Sequence, residues 1–347
     1  MYERLVRPAL FRMDPESAHD LAHKLAPLLA LSPFRFEFQS ANLKTKLSGT
    51  VLANPVGLAA GFDKNGRLVE FADRLGFGFV EVGSVCARAT QGNPKPRIFR
   101  LPDDDAVINR LGLNGEGAEA VAARLHGAKF ALPTGLNIAK TNLPEIQGDM
   151  AIQDVVTSFD HVKGLPLAYV AFNASCPNTH EGILNERQQL SDIMCEVQKK
   201  NSAGLPIFVK MSPDSSDELV TDIVEIAIQN GLSGFICGNT STSREGLQTG
   251  STRIAEIGNG GLSGKPLKPR ALSLVRRVAK LKQPSQQIIA CGGISSGRDA
   301  FEFIEAGANA LQLYTALVYH GPTIVARINR ELSQLLSQQC ETLKTAT

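Results

Sequence analysis

Residues 288–317 read "IIACGGISSGRDAFEFIEAGANALQLYTAL" and contain the pattern that decides the fold. A short apolar run leads into a Gly pair and a Gly-Ser turn, a segment with helical periodicity follows, and a second apolar run begins at Ala310. Short continuous apolar runs that alternate with amphipathic helices are typical of parallel strands buried on both faces. The stretch therefore predicts a strand, a helix and a second strand of one parallel sheet.

The same pattern recurs along the chain, with helical segments such as "DELVTDIVEIAIQNG" at 217–231 between most of the runs. Eight apolar runs bounded by Gly or Pro begin at Val56, Phe79, Gly135, Tyr169, Ile207, Gly234, Ile288 and Ala310. Eight strands alternating with helices predict a (β/α)8 TIM barrel. The alternative is an open doubly wound sheet, which more often has five or six strands and a GxGxxG motif after the first, a motif absent here.

Composition limits the class of protein. The 347 residues are 43% hydrophobic and carry a formal charge of +2, which provides no basic field for binding nucleic acid. The six cysteines are scattered without a CxxC pair, which indicates reduced thiols and no zinc or iron-sulfur site. The chain lacks a signal-peptide pattern and any run of ~18 uncharged apolar residues. We therefore expect an intracellular α/β protein that does not cross a membrane.

Functional residues of a barrel cluster at the C-terminal ends of its strands and in the loops that follow. Most polar residues near the predicted strands fall at that end, so we expect them to share one rim. In chain order they are Lys64, Asn65, Ser84, Asn137, Lys140, Asn173, Cys176, Lys210, Asn239, Thr240, Gly292, Gly293, Tyr314 and Thr315.

Two features of this rim favour a phosphorylated cofactor. The pair Gly292-Gly293 lies between a strand end and a helix start, and the Gly-rich segment 258–267, "GNGGLSGKPL", is predicted as a loop nearby. Backbone N–H groups in such places can bind phosphate, although single Gly pairs also serve as tight turns. Lys210 lies at the end of an apolar strand, where a buried ammonium requires a nearby anion, and a reduced flavin is such an anion. Alternatively, the Lys210 side chain reaches solvent or pairs with Asp214.

The order and spacing of ten motifs resemble those of the dihydroorotate dehydrogenases, from near residue 1 to about residue 330. The motifs are "NPVGLAAGFDKNG", "EVGSV", "GNPKPRIFRL", "INRLGLNGEG", "NASCPNT", "VKMSPD", "GNTSTSR", "GGLSGKPL", "CGGI" and "LQLYTALV". The resemblance implies an FMN-dependent (β/α)8 enzyme that oxidises dihydroorotate to orotate in pyrimidine biosynthesis. "FRMDPESAH" followed by "LAHKLAPLLALSPF" looks like the N-terminal element of class 2, the membrane-associated, quinone-reducing branch. It implies a helical membrane-association and quinone-access element over 1–40 and a catalytic barrel over 41–347.

Site residues carry over from the resemblance position by position. Those matching the substrate site are Lys64, Asn109, Gly112, Leu113, Asn173, Asn178, Asn239 and Thr240. Those matching FMN contacts are Ala60, Gly61, Lys64, Ser84, Asn137, Asn173, Lys210, Gly238, Gly264, Gly293, Tyr314 and Thr315. Several asparagines on one rim fit a flat uracil-like ring, because an amide both donates and accepts hydrogen bonds. Any single Asn could instead be an ordinary turn residue.

Cys176 in "NASCPNT" matches the base that removes a proton from C5 of dihydroorotate while hydride leaves C6 for the flavin. Class 2 enzymes have Ser here and the soluble class 1 enzymes have Cys. A thiol has a reference pKa of ~8.5, so it can act through its thiolate; the alternative is an inert buried Cys. The loop "HEGILNERQQL" at 180–190 also departs from class 2.

These departures leave other functions open. They are a different acceptor such as fumarate or NAD, another cyclic imide as substrate, and an FMN-binding protein without catalysis. A non-redox, phosphate-binding isomerase barrel is a further alternative.

The segment 14–31, "DPESAHDLAHKLAPLLAL", predicts a helix with Asp14 as N-cap and Pro15 at its first position. Its apolar face is formed by Ala18, Leu21, Ala22, Leu25, Leu28 and Leu29. Such a helix either packs on the barrel or lies in the membrane interface at the mouth of a quinone tunnel. The resemblance favours the second reading, places His19 and Arg100 at the quinone site, and implies a peripheral location on the cytoplasmic side of the inner or plasma membrane. His19 and His23 also have metal-pair spacing but lack a third ligand.

Overall fold

The structure is a computed structural model that describes residues 2–31, 35–174 and 187–346. Side chains are described for all of these except residues 29–31 and 343–346. Cys176, Asn178 and residues 180–186 of the predicted 180–190 loop lie outside the described residues, whereas residues 187–190 form the start of a helix, so the loop prediction was wrong for these four residues.

The described residues form an α/β fold. Its strands are β1 (Thr45–Leu47), β2 (Thr50–Leu52), β3 (Val56–Leu58), β4 (Phe79–Val85), β5 (Ile98–Leu101), β6 (Ala106–Asn109), β7 (Thr134–Ile138), β8 (Tyr169–Asn173), β9 (Ile207–Met211), β10 (Gly234–Cys237), β11 (Gly261–Gly264), β12 (Gln287–Cys291) and β13 (Ala310–Leu313). Its α-helices are α1 (Arg7–Arg12), α2 (Pro15–Leu31), α3 (Ala118–His126), α4 (Asp149–Val162), α5 (Arg187–Lys200), α6 (Asp217–Gln229), α7 (Ser251–Ile257), α8 (Lys268–Leu281), α9 (Gly297–Glu305), α10 (Thr315–His320) and α11 (Ile324–Ala346).

Eight parallel strands close into a barrel in the order β3-β4-β7-β8-β9-β10-β12-β13, with β13 pairing back to β3. Every one of the eight predicted apolar runs supplies a strand, so the predicted (β/α)8 barrel is confirmed. Strands β7, β8, β9 and β10 are buried along their whole length. Helices outside and side chains inside cover both faces, which is why the strands are continuous apolar runs.

The barrel interior is filled with aromatic rings where the neighbouring strand carries glycine. A Cβ on Gly57 would lie 2.4 Å from the ring of Phe79, and one on Gly135 would lie 2.2 Å from the ring of Tyr169. Such distances are well inside van der Waals contact, so only glycine leaves room for these rings. The β1-β2 hairpin closes the N-terminal end of the barrel, because its Leu47 packs in the same buried cluster.

A second, antiparallel sheet, β5-β6-β11, lies beside the C-terminal end of the barrel. The Gly-rich segment 258–267, predicted as a loop, contains β11, so this expectation was wrong. A Cβ on Gly261 would lie 2.0 Å from Thr240 Oγ1. The glycines therefore allow a strand to pass close to the rim, although they remove the alternating side chains by which a strand is recognised.

The N-terminal segment packs on this end of the molecule. Asp14 accepts a hydrogen bond from the Ser17 amide at 2.9 Å, which confirms it as the cap of α2. Glu16 accepts two hydrogen bonds from Arg97, at 3.1 and 2.7 Å, and both side chains are largely buried. His23 Nε2 lies 2.9 Å from the carbonyl of Phe62. Among the described helices, none has the length and apolar character that crossing a membrane requires.

Candidate active site

A cavity opens at the C-terminal ends of the barrel strands, and most of the predicted rim residues meet there. The predicted residues that line it are Ala60, Gly61, Lys64, Ser84, Asn109, Gly112, Leu113, Asn173, Lys210, Asn239, Thr240, Gly264, Gly293, Tyr314 and Thr315. They come from different strands and loops that are distant in sequence. Barrel closure therefore assembles them into one site.

A chain of hydrogen bonds crosses one wall of this cavity. Asn239 donates to Asn173 Oδ1 at 3.1 Å, and Asn173 donates to Ser84 Oγ at 3.1 Å. Ser84 in turn donates to Asn137 Oδ1, and the Asn239 side chain also accepts from the Thr240 amide at 2.9 Å. Because each amide is held by a neighbour, the wall presents oriented donors and acceptors rather than freely rotating side chains.

Two predicted cofactor residues lie behind the cavity wall instead of lining it. Asn137 is fully buried beneath Ser84. Gly238 has φ 130°, and a Cβ there would lie 1.7 Å from the carbonyl oxygen of Cys291. Position 238 therefore has no room for a side chain, and it can contribute to the site only through its backbone.

The loop after β6 has an unusual backbone at the cavity. Gly112 has φ 73° and Leu113 has φ 57°, a region that non-glycine residues seldom occupy. Asn142 donates to the Gly112 carbonyl at 3.2 Å, and Thr90 donates to the Leu113 carbonyl at 2.7 Å. These bonds hold a strained conformation that presents both residues to the cavity.

Lys64 follows β3 and donates to Asn114 Oδ1 at 2.9 Å. Burial lowers the pKa of Lys64 to about 8, and the charge of Arg97 contributes to the shift. The ammonium is still mostly protonated at neutral pH. It therefore supplies positive charge to the side of the cavity where an anionic substrate group could bind.

Lys210 lies on the cavity floor with 6% of its side chain exposed, so it does not reach solvent. Its Nζ is 3.9 Å from Oε1 of Glu81, which is fully buried. Asp214, the partner considered from sequence, instead accepts a hydrogen bond from Ser241 at 2.7 Å. Both alternatives to a cavity-facing lysine are therefore wrong.

Sequence reasoning missed a polar group beneath Lys210. Glu81 accepts hydrogen bonds from Asn137, Tyr169 and Gln312, and these residues belong to four different strands. The available signal was a charged residue inside the apolar run "FVEVGSV" and a Gln inside "LQLYTAL". Neither pattern reveals its partners, because they are far apart in sequence.

The cavity fits a phosphorylated flavin on three grounds. Gly264 (φ 106°) and Gly293 (φ 72°) line the cavity. A Cβ on Gly264 would lie 2.3 Å from the carbonyl oxygen of Asp105, and a Cβ on Gly293 would lie 2.5 Å from the backbone nitrogen of Lys268. Neighbouring backbone therefore permits only glycine at these two positions, and the cavity is bounded there by backbone without side chains, which can bind a phosphate through N–H groups. Lys210 supplies a buried cation at the floor. Gln312 Oε1 is buried and has no hydrogen-bond partner among the described residues, so the floor also offers an acceptor to a ring donor.

A second cavity lies between α1, α2 and the barrel, and its lining is mainly apolar. It contains both residues predicted for the quinone site, His19 and Arg100. Ile98, Val107 and Tyr314 line both cavities, so the two are adjacent. The second cavity therefore extends from the N-terminal helices to the side of the first cavity that these three residues form.

The polar residues of the second cavity are packed against aromatic rings. Burial, together with the nearby His23 and Lys64, lowers the pKa of His19 to about 3, so this imidazole is neutral at pH 7. Its ring centroid is 4.4 Å from that of His23 and 5.1 Å from that of Phe62. Arg100 lies over the ring of Phe11 at 4.6 Å. No group of three potential metal ligands occurs within the described ranges.

A (β/α)8 barrel with a glycine-lined cavity at the C-terminal ends of its strands and an adjoining apolar cavity defines the class: a barrel enzyme with its site at that rim. The chain belongs to the dihydroorotate dehydrogenase family, because the family described as "Dihydroorotate dehydrogenase" matches residues 42–336. Members of this family form a class of flavin-using enzymes.

Individual relatives extend the match over nearly the whole chain. A "Dihydroorotate dehydrogenase (quinone)" of Christiangramia forsetii is 39% identical over 343 residues, which cover 96% of this chain and 98% of that protein. The mitochondrial "Dihydroorotate dehydrogenase (quinone)" of Mus musculus is 42% identical, covering 97% of this chain and 87% of that protein. The ligand-free crystal structure of DHODH from Eimeria tenella has a TM-score of 0.83 at 35% identity, covering 94% of this chain and 96% of that one.

Proposed function

We propose that the protein is a quinone-dependent dihydroorotate dehydrogenase, which oxidises (S)-dihydroorotate to orotate in pyrimidine biosynthesis with FMN as its cofactor. The observation that carries the proposal is the pair of adjoining cavities. One contains oriented amides and two lysines, as a substrate and cofactor site requires. The other is apolar and contains Arg100 and His19, as a quinone site requires.

FMN would be held at the floor and rim of the cavity at the strand ends. Lys210 would stabilise negative charge on the ring, Gly264, Gly293 and Thr315 would approach the phosphate, and Tyr314 would separate the ring from the apolar cavity. Bound FMN would supply two-electron redox chemistry, with dihydroorotate as donor and quinone as acceptor. The protein contributes binding, orientation and electrostatics to that chemistry.

The substrate would lie against the amide wall. Asn109, Asn173 and Asn239 would bind the carbonyl and N–H groups of the ring, and Lys64 would face its carboxylate. The proton on C5 would be removed by Cys176, an assignment that rests on the sequence because Cys176 lies outside the described residues. Asn178 would complete the amide set on the same ground.

Quinone would enter between the N-terminal helices. Apolar side chains on this segment are exposed: Leu5 to 67%, Leu25 to 48% and Leu28 to 57%. Ala18 and Ala26 on the same helix are buried, so α2 packs on the barrel and still presents apolar surface outward. Such a surface beside an apolar cavity supports peripheral contact with a membrane, where quinones are dissolved. The cytoplasmic side of the inner or plasma membrane is proposed from the resemblance alone.

The function is tested by anaerobic titration of the purified protein. Dihydroorotate is expected to bleach the flavin absorbance stoichiometrically, and a short-chain quinone is expected to restore it. A yellow protein that dihydroorotate does not bleach would contradict the substrate assignment. Reoxidation by fumarate or NAD in place of quinone would contradict the acceptor assignment.

Substrate binding is expected to weaken at alkaline pH. Because the pKa of Lys64 is about 8, its positive charge is present below that pH and is lost as the pH rises through it. We expect the KM for dihydroorotate to be nearly constant below pH 7 and to rise about tenfold per unit above pH 8. Steady-state kinetics between pH 6 and 10 measure this dependence.

The matched variant for this prediction is Lys64→Arg. An arginine stays charged over the whole range, so its KM should lose the alkaline rise even if its value is higher throughout. An identical alkaline rise in the variant would show that another group titrates.

A further inference from the structure

Glu81 lies in the interior of the barrel directly beneath the proposed cofactor site, and it is fully buried. Its Oε1 accepts a hydrogen bond from Asn137 Nδ2 at 2.9 Å. Its Oε2 accepts from Tyr169 Oη and from Gln312 Nε2, both at 2.7 Å. Layers inside such barrels are dominated by Val, Ile and Leu, so a carboxylate at this depth calls for a specific reason.

The groups around Glu81 are hydrogen-bond donors and a lysine ammonium. In all three hydrogen bonds the Glu81 carboxylate is the acceptor. Lys210 Nζ lies 3.9 Å from Oε1 of the same carboxylate. Burial and the charge of Glu81 raise the pKa of Tyr169 well above its usual range, so its phenol remains a donor. The network therefore pairs an anion with the ammonium of Lys210 in a region closed to solvent.

The barrel makes room for this network. The ring of Tyr169 occupies space that a Cβ on Gly135 would fill, at 2.2 Å, and it packs on Phe208 with ring centroids 5.1 Å apart. Gln312 donates a second hydrogen bond to Tyr169 Oη at 3.1 Å. These contacts fix the tyrosine and glutamine that hold the carboxylate, so Glu81 has a defined position below Lys210.

The same network reaches the amide wall of the cavity. Asn137, which donates to Glu81, accepts from Ser84, and Ser84 accepts from Asn173. Gln312 lines the cavity floor beside Lys210. Glu81 is thus connected to the floor on which the flavin ring would lie, although it does not itself line the cavity.

From this geometry we propose that Glu81 is a positioning residue for Lys210. Glu81 fixes the Lys210 ammonium at the cavity floor and offsets part of its positive charge. The inference rests on the proposed flavin site. Lys210 alone would strongly favour the anionic reduced cofactor. The adjacent carboxylate moderates this preference, so the reduced cofactor can still release its electrons to a quinone.

The test is the reduction potential of FMN in the holoprotein carrying Glu81→Gln, measured by dye equilibration at neutral pH. Removal of the negative charge leaves the charge of Lys210 less compensated, so the potential should rise. We expect the ratio of reduced to oxidised flavin at a fixed potential to increase at least tenfold, which is about 30 mV for a two-electron couple. Glu245→Gln, which removes a carboxylate whose side chain is 83% exposed, should leave the potential unchanged.

A double-variant cycle separates action through Lys210 from general destabilisation. Lys210→Met should lower the potential. Adding Glu81→Gln to Lys210→Met should then change the potential much less than in the wild-type background, because the ammonium whose charge Glu81 is proposed to offset is absent. Equal effects of Glu81→Gln in both backgrounds would contradict a role exerted through Lys210.

An unchanged potential in flavin-loaded Glu81→Gln would overturn the proposal. If that variant does not fold, Glu81→Asp withdraws the carboxylate by one methylene, and it should raise the potential by a smaller amount; an unchanged value there would also overturn it. A flavin-containing protein that dihydroorotate does not reduce would contradict the proposed substrate. The FMN reduction potentials of the wild type and the variants could still be measured, so the role of Glu81 would be tested separately. A wild-type protein without flavin would overturn both proposals.

Discussion

Replacement of Cys176 by alanine is expected to slow reduction of bound FMN by dihydroorotate by about 10²- to 10⁴-fold. The variant would lack the group assigned to remove the C5 proton, and a methyl group cannot replace a base. FMN should remain bound, because the residues proposed to hold it lie on β9, β11 and the ends of β12 and β13. Stopped-flow absorbance under anaerobic conditions measures the rate, and the flavin-to-protein ratio measures cofactor content.

Cys176→Ser is the informative companion variant. Serine is the residue that the resemblance to class 2 predicts at this position, so Cys176→Ser should retain far more activity than Cys176→Ala. A serine hydroxyl does not ionise in the accessible pH range, whereas a thiol does. The rise in rate that accompanies thiol ionisation in the wild type should therefore be absent from Cys176→Ser. Wild-type reduction rates in Cys176→Ala would remove the assigned role.

The second large effect is expected on the opposite half of the reaction. Arg100→Ala should slow reoxidation of reduced flavin by a short-chain quinone by about 10- to 100-fold, as the loss of one charged hydrogen-bond donor implies. Arg100 lines the apolar cavity, where its guanidinium lies over Phe11 and donates to the Met13 carbonyl at 2.9 Å. His19, which is neutral at pH 7, cannot replace the missing positive charge.

The half-reactions distinguish this role from a structural one. Reduction of Arg100→Ala by dihydroorotate should proceed at the wild-type rate, because the substrate cavity is unchanged. Arg12→Ala removes an exposed cation from the same N-terminal segment, outside the lining of the apolar cavity, and should affect neither half-reaction. Equal slowing of both half-reactions in Arg100→Ala would indicate disturbed packing and would contradict a quinone-binding role.

The barrel strands could be predicted because each is a local pattern. A parallel strand buried on both faces is a continuous apolar run, and all eight runs correspond to strands of the closed barrel. Strand β11 was missed because its residues, "GLSG", include two glycines and show no alternation. Its pairing with β6 depends on residues more than a hundred positions away, and no local pattern records that partner.

The rim of the site was predictable for the same reason that the strands were. Once strand ends are known, barrel geometry places the residues that follow them on one face, and Lys64, Asn173, Lys210 and Asn239 line the cavity there. The resemblance added the roles of these residues, which remain proposals. The departures at Cys176 and at residues 180–186 stay predictions of the sequence, since they lie outside the described residues.

The fold class, the positions of the eight barrel strands and most of the rim residues were encoded locally in this sequence, because apolar periodicity and strand ends are properties of short segments. The contacts of Glu81 were not, because Tyr169 and Gln312 are 88 and 231 residues away from it. Closure of the barrel brings these side chains together in a buried region. There the carboxylate of Glu81 accepts a hydrogen bond from the phenol of Tyr169 and lies beside the ammonium of Lys210. These interactions exist only in the folded chain.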